Sequence, residues 1–317
     1  HKVLAFYRSY HGATAGAMSA TGDPRKHEWE PNLMPGVVHF LNPYRYRSTF
    51  HRTNPGISEG DFAQDYLNHL EEIMQYEGAN TIAAILLEPV VGKNGIIIPP
   101  DGYLQGVRAI CDKYNIMMIA DEVMSGFGRA GAWFAVDNWD VRPDLLTMAK
   151  GLTSAYAPLG AVGMTDEIAS HFDKRVFHGG LTYTAHPVSL AAMLANIRVF
   201  QEEKLVERSA SLGSSLSRML SNLKEKHPSV GDVRSIGLFG VVEIVKNRET
   251  KEPMAPYNGS SPEMDAFKKY CFEHGLYLSV HWQKAFVIPP LVITEEQLAE
   301  GITIIDEALK ITDDAVV

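Results

Sequence analysis

The sequence has only two cysteines, Cys111 and Cys271, in 317 residues. They lie far apart, so a disulfide framework and a cysteine-based zinc site are both excluded. A reducing, cytoplasmic compartment is the expectation that follows. Basic charge is also scarce: 29 Lys and Arg against 38 Asp and Glu leave a formal charge of −9. A protein that grips a phosphate backbone presents the opposite balance, so nucleic acid is not an expected partner. No apolar run approaches the roughly 18–20 residues of a membrane-spanning helix, so no membrane partner is expected either. The 12 histidines include no His-x-x-x-His pair, and no metal is expected. Internal repeats and low-complexity tracts are missing, which excludes solenoids and compositionally biased linkers. The chain does not begin with Met. It opens on His1-Lys2-Val3-Leu4-Ala5-Phe6, a strand-like run with no leader ahead of it, and these residues are expected to be internal to a longer fold.

What is present is a chain long enough for one large or two ordinary domains. Short apolar runs alternate with amphipathic stretches. Val3–Tyr7, Ile82–Leu87, Ile116–Ala120, Leu145–Ala149 and Ala161–Met164 read as strands. Ala13–Ala20, Phe62–Tyr76 and Gly102–Tyr114 read as helices. Runs that are apolar throughout mark strands covered on both faces, hence a mostly parallel sheet flanked by helices in an α/β domain. Asp23–Gly60, rich in Pro, Asn, Arg and aromatics, lacks a sustained period and reads as a long ordered loop. After His186-Pro187 the texture changes. Helices Val188–Phe200 and Leu205–Lys226 lead into a β-like run, Val233–Ile244, and a helix, Met264–His274. Short strands at Leu276–Val280 and Ala285–Ile288 precede a terminal helix, Glu295–Ile311. The expected division is a large domain over 1–186, then a connector helix and a smaller α+β domain over 187–317.

Four segments carry chemistry. In Ile119-Ala120-Asp121-Glu122-Val123, a buried strand ends in carboxylates and runs into Gly126-Phe127-Gly128. In open α/β sheets the crevice beyond the strands' carboxyl ends binds ligands, and an acid there can meet a cationic ring nitrogen, a metal or a ribose hydroxyl. The competing reading is a simple helix cap. Lys150 closes another apolar run, Thr147-Met148-Ala149. A desolvated lysine exposes a free amine and serves as an imine-forming nucleophile, whereas an ordinary loop lysine does nothing of the kind. Ser9-Tyr10-His11-Gly12 follows the first strand, where an aromatic beside glycine can lie flat on a planar ligand. Gly179-Gly180-Leu181-Thr182-Tyr183-Thr184 is hydroxyl-rich and precedes a helix, which suits a phosphate or merely caps the helix. The turn Gly126-Phe127-Gly128 lacks the spacing and downstream acid of a dinucleotide fingerprint.

Together these segments, with Glu88-Pro89, Arg129, Gly151 and Pro289-Pro290-Leu291, resemble the class-III aminotransferases, pyridoxal-phosphate enzymes of fold type I. The resemblance spans essentially the whole chain, and it implies roles. Lys150 would carry pyridoxal 5'-phosphate and shuttle a proton at the substrate carbon. Asp121 would pair with the pyridinium nitrogen, and Tyr10 and Val123 would pack on opposite faces of the ring. His11 and Gly12 would lie near the cofactor, and Glu88 near the cofactor or the substrate-facing wall. Thr182 would reach the cofactor phosphate of a neighbouring subunit, which implies a homodimer with shared active sites. The partners implied are an amino donor of the taurine, β-alanine or ω-amino acid kind and a keto acid such as pyruvate.

Two departures qualify the resemblance. The family's Gly-Ser-Glu-Ala-Asn-like phosphate-binding turn is absent from these residues, so the large domain is expected to be incomplete at its N-terminus. Many members also carry an arginine shortly before the Pro-Pro-Leu turn to bind a substrate acid. Here the stretch is Val280-His281-Trp282-Gln283-Lys284, which makes His281, Trp282 and Lys284 the candidate substrate residues. Neither cation reproduces the bidentate fork of arginine. An aminomutase, racemase or decarboxylase on the same scaffold would need the same lysine and aspartate. A non-catalytic binding protein of this fold is the remaining alternative.

Overall fold

The computed structural model describes residues 1–52, 54 and 56–317. The fully apolar runs become the strands of one sheet, as their lack of alternation predicts. In chain order the first unit contains β1 (Lys2–Phe6), α1 (Ala15–Ala20), β2 (Val37–Phe40), α2 (Glu59–Glu77), β3 (Ile82–Leu87) and α3 (Tyr103–Tyr114). It continues with β4 (Met117–Asp121), β5 (Leu145–Met148), β6 (Ala161–Met164), α4 (Asp166–Ser170) and α5 (Pro187–Glu202). The sheet is 6-stranded in the order β2-β1-β3-β4-β5-β6, and only β6 runs antiparallel to its neighbour. Parallel strands bring their carboxyl ends to a single edge, and that edge positions the site.

Helices α2 and α3 cover the sheet through complementary apolar faces. Phe62, Tyr66, Leu67, Leu70 and Met74 of α2 are buried, as are Tyr103, Leu104, Val107, Ile110 and Cys111 of α3. Gly106 lets the two helices close up: a Cβ there would lie 2.2 Å from Leu67 Cδ1. Ser58 caps α2 by accepting a hydrogen bond from Asp61 N–H, so the helix begins at Glu59, three residues ahead of the predicted start at Phe62.

The Asp23–Gly60 stretch is not the featureless loop expected. It contains the edge strand β2, paired in parallel with β1, and a 3₁₀ stretch over Pro24–Asn32. Four residues, Val-Val-His-Phe, are too few to show a period against Pro- and Arg-rich flanks. Residues 53 and 55 of that stretch lie outside the described residues.

The second unit holds α6 (Leu205–Lys226), β7 (Val230–Ile236), β8 (Phe239–Asn247), β9 (Glu252–Pro253), α7 (Pro262–Glu273), β10 (Val280–His281), β11 (Lys284–Val287) and α8 (Glu295–Asp313). Its strands form an antiparallel sheet in the order β10-β11-β8-β7, with β9 on β8. The single β-like run Val233–Ile244 is a hairpin, turned at Gly237, whose φ of 54° suits glycine. Of the expected strand Leu276–Val280, only Val280 pairs.

The chain divides into His1–Gly92, Pro99–Phe127 and Trp133–Lys204 as one unit, and Lys93–Ile98, Gly128–Ala132 and Leu205–Val317 as the other. The main division between these units falls after α5. Within the first unit, Asn196 of α5 donates to Gly151 O at 2.8 Å and Leu152 O at 3.1 Å.

Candidate active site

Glu88 follows the last residue of β3, Asp121 is the last residue of β4, and Lys150 lies just beyond β5. The turn Ser9–Gly12 leaves β1 at the same edge. Cross-strand register places Asp121 opposite Thr147, and Glu122 N–H donates to Thr147 O at 3.0 Å. The aspartate and the lysine therefore emerge from adjacent parallel strands.

The turn after β1 is locked by backbone. Arg8 N–H donates to Gly22 O at 2.7 Å, and Gly22 N–H donates to Ser9 O at 3.0 Å. A Cβ on Gly22 would sit 2.0 Å from Phe6 O, so this approach requires glycine. The next residues meet the site. Tyr10 N–H donates to Glu88 Oε1 at 2.8 Å, and His11 N–H donates to Thr21 Oγ1 at 3.0 Å. His11 Nδ1 lies 2.7 Å from Asp121 Oδ2, with the two side chains 3% and 8% exposed. Asp121 Oδ1 accepts from Val123 N–H at 3.1 Å, a local turn contact with no helix to cap. Gly12 has a φ of 130°, a conformation other residues rarely adopt.

Asp121 and Glu122 point in opposite directions, as strand neighbours do. Glu122 is fully buried away from His11, accepting from Ser125 Oγ at 2.5 Å and Val136 N–H at 2.9 Å. Burial pushes its carboxyl up from the usual range. It anchors the loop after Gly126 instead of serving the edge where Asp121 lies.

Glu88 joins two loops. Besides Tyr10 N–H it accepts from Gly92 N–H at 2.9 Å. Burial raises its carboxyl to about 7, with Asp121 adding to the rise and His11 and the two amides opposing it. In the unfolded chain the group ionises near 4.5, its ordinary value. Between those values the folded state holds the extra proton, so stability falls as pH rises from about 4.5 to about 7 and levels off above. We expect the thermal midpoint of the cofactor-free protein to drop across that window, by a penalty on the order of 3 kcal/mol when complete. Glu88→Gln should flatten the slope. A slope unchanged in Glu88→Gln would assign the pH dependence to other groups.

Lys150 begins a short 3₁₀ turn, Lys150–Leu152, with a φ of 42°. The turn is held from below: a Cβ on Gly151 would meet Phe127 Cβ at 2.6 Å, and Asn196 binds the two following carbonyls as described. The lysine side chain itself is exposed, not desolvated as the sequence argument expected. Val123 is half-buried next to Asp121. Thr182 lies in the run 173–188, all of it exposed, and its hydroxyl has no partner among the described residues.

The candidate substrate residues sit on the β10–β11 hairpin of the second unit. Trp282 turns the hairpin with a φ of 58° and stacks on His281 at 4.2 Å and against Tyr257 at 4.7 Å. Lys284 is only 1% exposed, opposite Glu243 in the strand register, with its ammonium 4.9 Å from the Trp282 ring centroid. Two residues at the site escaped the sequence reading, Asn196 and Arg25. Asn196 gave a usable signal, a polar residue on the buried side of an apolar helix. Arg25 gave none.

A carboxylate and a lysine at the carboxyl ends of adjacent parallel strands, beside an aromatic turn, lie on the ligand-binding edge of an open α/β sheet, in an architecture consistent with fold type I pyridoxal-phosphate transferases. The chain belongs to the class-III aminotransferase family, whose model matches residues 1–309. It is 36% identical over 316 residues to the putrescine–pyruvate aminotransferase of Pseudomonas aeruginosa, covering 99% of this chain and 67% of that protein. It is 34% identical to the mitochondrial gamma-aminobutyrate transaminase 1 of Oryza sativa subsp. indica, covering 99% of this chain and 60% of that one. The taurine:2-oxoglutarate aminotransferase of Bifidobacterium kashiwanohense, solved with pyridoxal phosphate and glutamate, superposes with a TM-score of 0.94. That protein is 42% identical, and the match covers 100% of this chain and 70% of its own. The chain thus spans about two thirds of the length of these relatives.

The residues present fit the cofactor. Asp121 offers a nearly buried carboxylate, and His11 Nε2 beside it is a buried polar atom with no partner among the described residues. The exposed Lys150 amine leaves the same edge. No group of His, Cys, Asp and Glu among the described residues could hold a metal ion. None of the helices described is long and apolar enough to cross a membrane.

Proposed function

We propose that this aminotransferase moves an amino group from an ω-amino acid or amine, of the taurine, β-alanine or γ-aminobutyrate kind, to a keto acid such as pyruvate. The observation that carries the reading is the placement of Asp121 and Lys150 on adjacent parallel strands, next to the turn bearing Tyr10 and His11. The donor class is supported by relatives whose names specify terminal amines: putrescine, γ-aminobutyrate and taurine.

Pyridoxal phosphate, when bound, supplies an electron-withdrawing ring that stabilises charge developing on the amine-bearing carbon. The rest falls to the chain's own side chains. Lys150 Nζ would hold the cofactor and then move the proton at that carbon, acting as base and then as acid. Asp121 would hold a proton at the ring nitrogen, and His11, hydrogen-bonded to Asp121, would fix the orientation of the carboxylate. Tyr10 and Val123 would set the plane of the ring, with Gly12 allowing close backbone approach.

We further propose a homodimer in which Thr182 serves the phosphate of the partner subunit's cofactor. Support comes from the exposed run 173–188, where Val176, Phe177, Leu181, Tyr183 and Val188 are each 61–80% exposed. So much apolar surface in one stretch marks an interaction face. A reducing, cytoplasmic setting suits the buried thiols Cys111 and Cys271, both pushed up to about 12 by burial and thus inert.

The test is a screen with nitrogen-15-labelled taurine, β-alanine, γ-aminobutyrate and putrescine against pyruvate. Label appearing in alanine with at least one donor is the expected result. If label stays in an isomer of the donor, or carbon dioxide is released instead, the aminomutase, racemase or decarboxylase reading replaces this one.

A further inference from the structure

The geometry points to Arg25 as the positioning residue that fixes the plane of Tyr10, and through it the seat of the cofactor ring. This rests on Tyr10 lying against the cofactor as proposed above. The Arg25 guanidinium carbon sits 3.5 Å from the Tyr10 ring centroid, at stacking distance. One face of the tyrosine is thereby occupied, so a planar ligand would have to use the other. The guanidinium cannot drift. Arg25 Nε donates to both carboxylate oxygens of Asp23, at 3.1 and 2.8 Å, and Nη2 also contacts Oδ2.

Asp23 is itself anchored. It is 4% exposed and caps the 3₁₀ stretch Pro24–Asn32 by accepting from Arg25 N–H at 3.0 Å. The stack continues the hold on the tyrosine begun by Glu88, which takes the Tyr10 N–H. The backbone of Tyr10 is therefore pinned from the β3 side and its ring from the β1–β2 connection. A planar, always-charged group suits this task, because it stacks on an aromatic face while keeping its fork on a carboxylate. Lysine offers the charge without the plane.

Pyridoxal phosphate titrated into the apoenzyme, followed by quenching of intrinsic fluorescence, measures the consequence. Arg25→Ala should weaken cofactor affinity about two- to fivefold, the equivalent of one exposed cation–aromatic contact. Arg25→Lys should fall between Arg25→Ala and the unmodified protein. In a Tyr10→Ala background, Arg25→Ala should add nothing, since its effect runs through the ring. Thermal melts of the apoenzymes report the stability lost when the buried Asp23 loses this partner, and the comparison between the two backgrounds separates the effect on the ring from that general destabilisation. An unchanged affinity in Arg25→Ala, or an equal loss in both backgrounds, overturns the role given to Arg25. If Tyr10→Ala itself leaves affinity unchanged, the placement of Tyr10 against the cofactor fails, and the proposal falls with it.

Discussion

Lys150→Ala is expected to lower amino transfer by at least about 10²–10⁴-fold, the range over which a positioned proton-transfer group contributes to rate. The loss should exceed that of any other single substitution at the site, because one amine is asked to do two things. It holds the cofactor, and it moves the proton at the reacting carbon. Lys150→Arg should not restore activity, since a guanidinium stays protonated and presents no free electron pair. The protein should remain folded. The lysine side chain is exposed and makes no hydrogen bond or ion pair among the described residues, and the turn it opens is held by Asn196 and by packing at Gly151. Steady-state kinetics with the best donor from the labelled screen, alongside a thermal melt, checks both halves. Substantial turnover in a folded Lys150→Ala protein would remove the lysine from the mechanism.

Asp121→Asn is the second large effect. The amide keeps the size of the carboxylate but cannot balance a proton held on a ring nitrogen. Removing one preorganised electrostatic partner of this kind costs about 10²–10³-fold in kcat. The fall should lie in kcat more than in KM, because the charge matters most where negative charge develops in the transition state. His11 sharpens the expectation. Its Nδ1 lies 2.7 Å from Asp121 Oδ2 in a nearly buried pair, so the aspartate is oriented before any ligand arrives. Asp121→Glu should fail to rescue the rate, because one more methylene pushes the carboxylate into the space His11 occupies. An Asp121→Asn enzyme with an unaltered kcat would show that the ring nitrogen needs no acidic partner here.

Asp121 is the more legible of these two residues for a physical reason: a charged group closing a buried strand is costly unless it is paired, and Asp121 lies 2.7 Å from His11 Nδ1. Lys150 stands at the expected strand end but is exposed, so a cost of burial is not what marks it. The strands β3, β4 and β5 are equally plain, because their apolar runs carry no polar alternation to confuse. β2 was hidden by its length and by Pro- and Arg-rich flanks. The β7–β8 hairpin merged into one run because Gly237, its turn, looked like a glycine inside a strand. The burial of Lys284, opposite Glu243 in the strand register, has no signature in a stretch as short as residues 280–284. Arg25 could not be seen at all, since stacking on Tyr10 across 15 positions leaves no periodic trace.

The central claim is that Lys150 is the residue that carries the cofactor. The most direct measurement is borohydride reduction of the purified enzyme with bound pyridoxal phosphate, followed by proteolysis and mass spectrometry of the peptides. A pyridoxyl group fixed on the peptide containing Lys150, at near one per chain, is the predicted result. Its fixation on another lysine, or its absence from a protein that still transfers amino groups, would contradict the account.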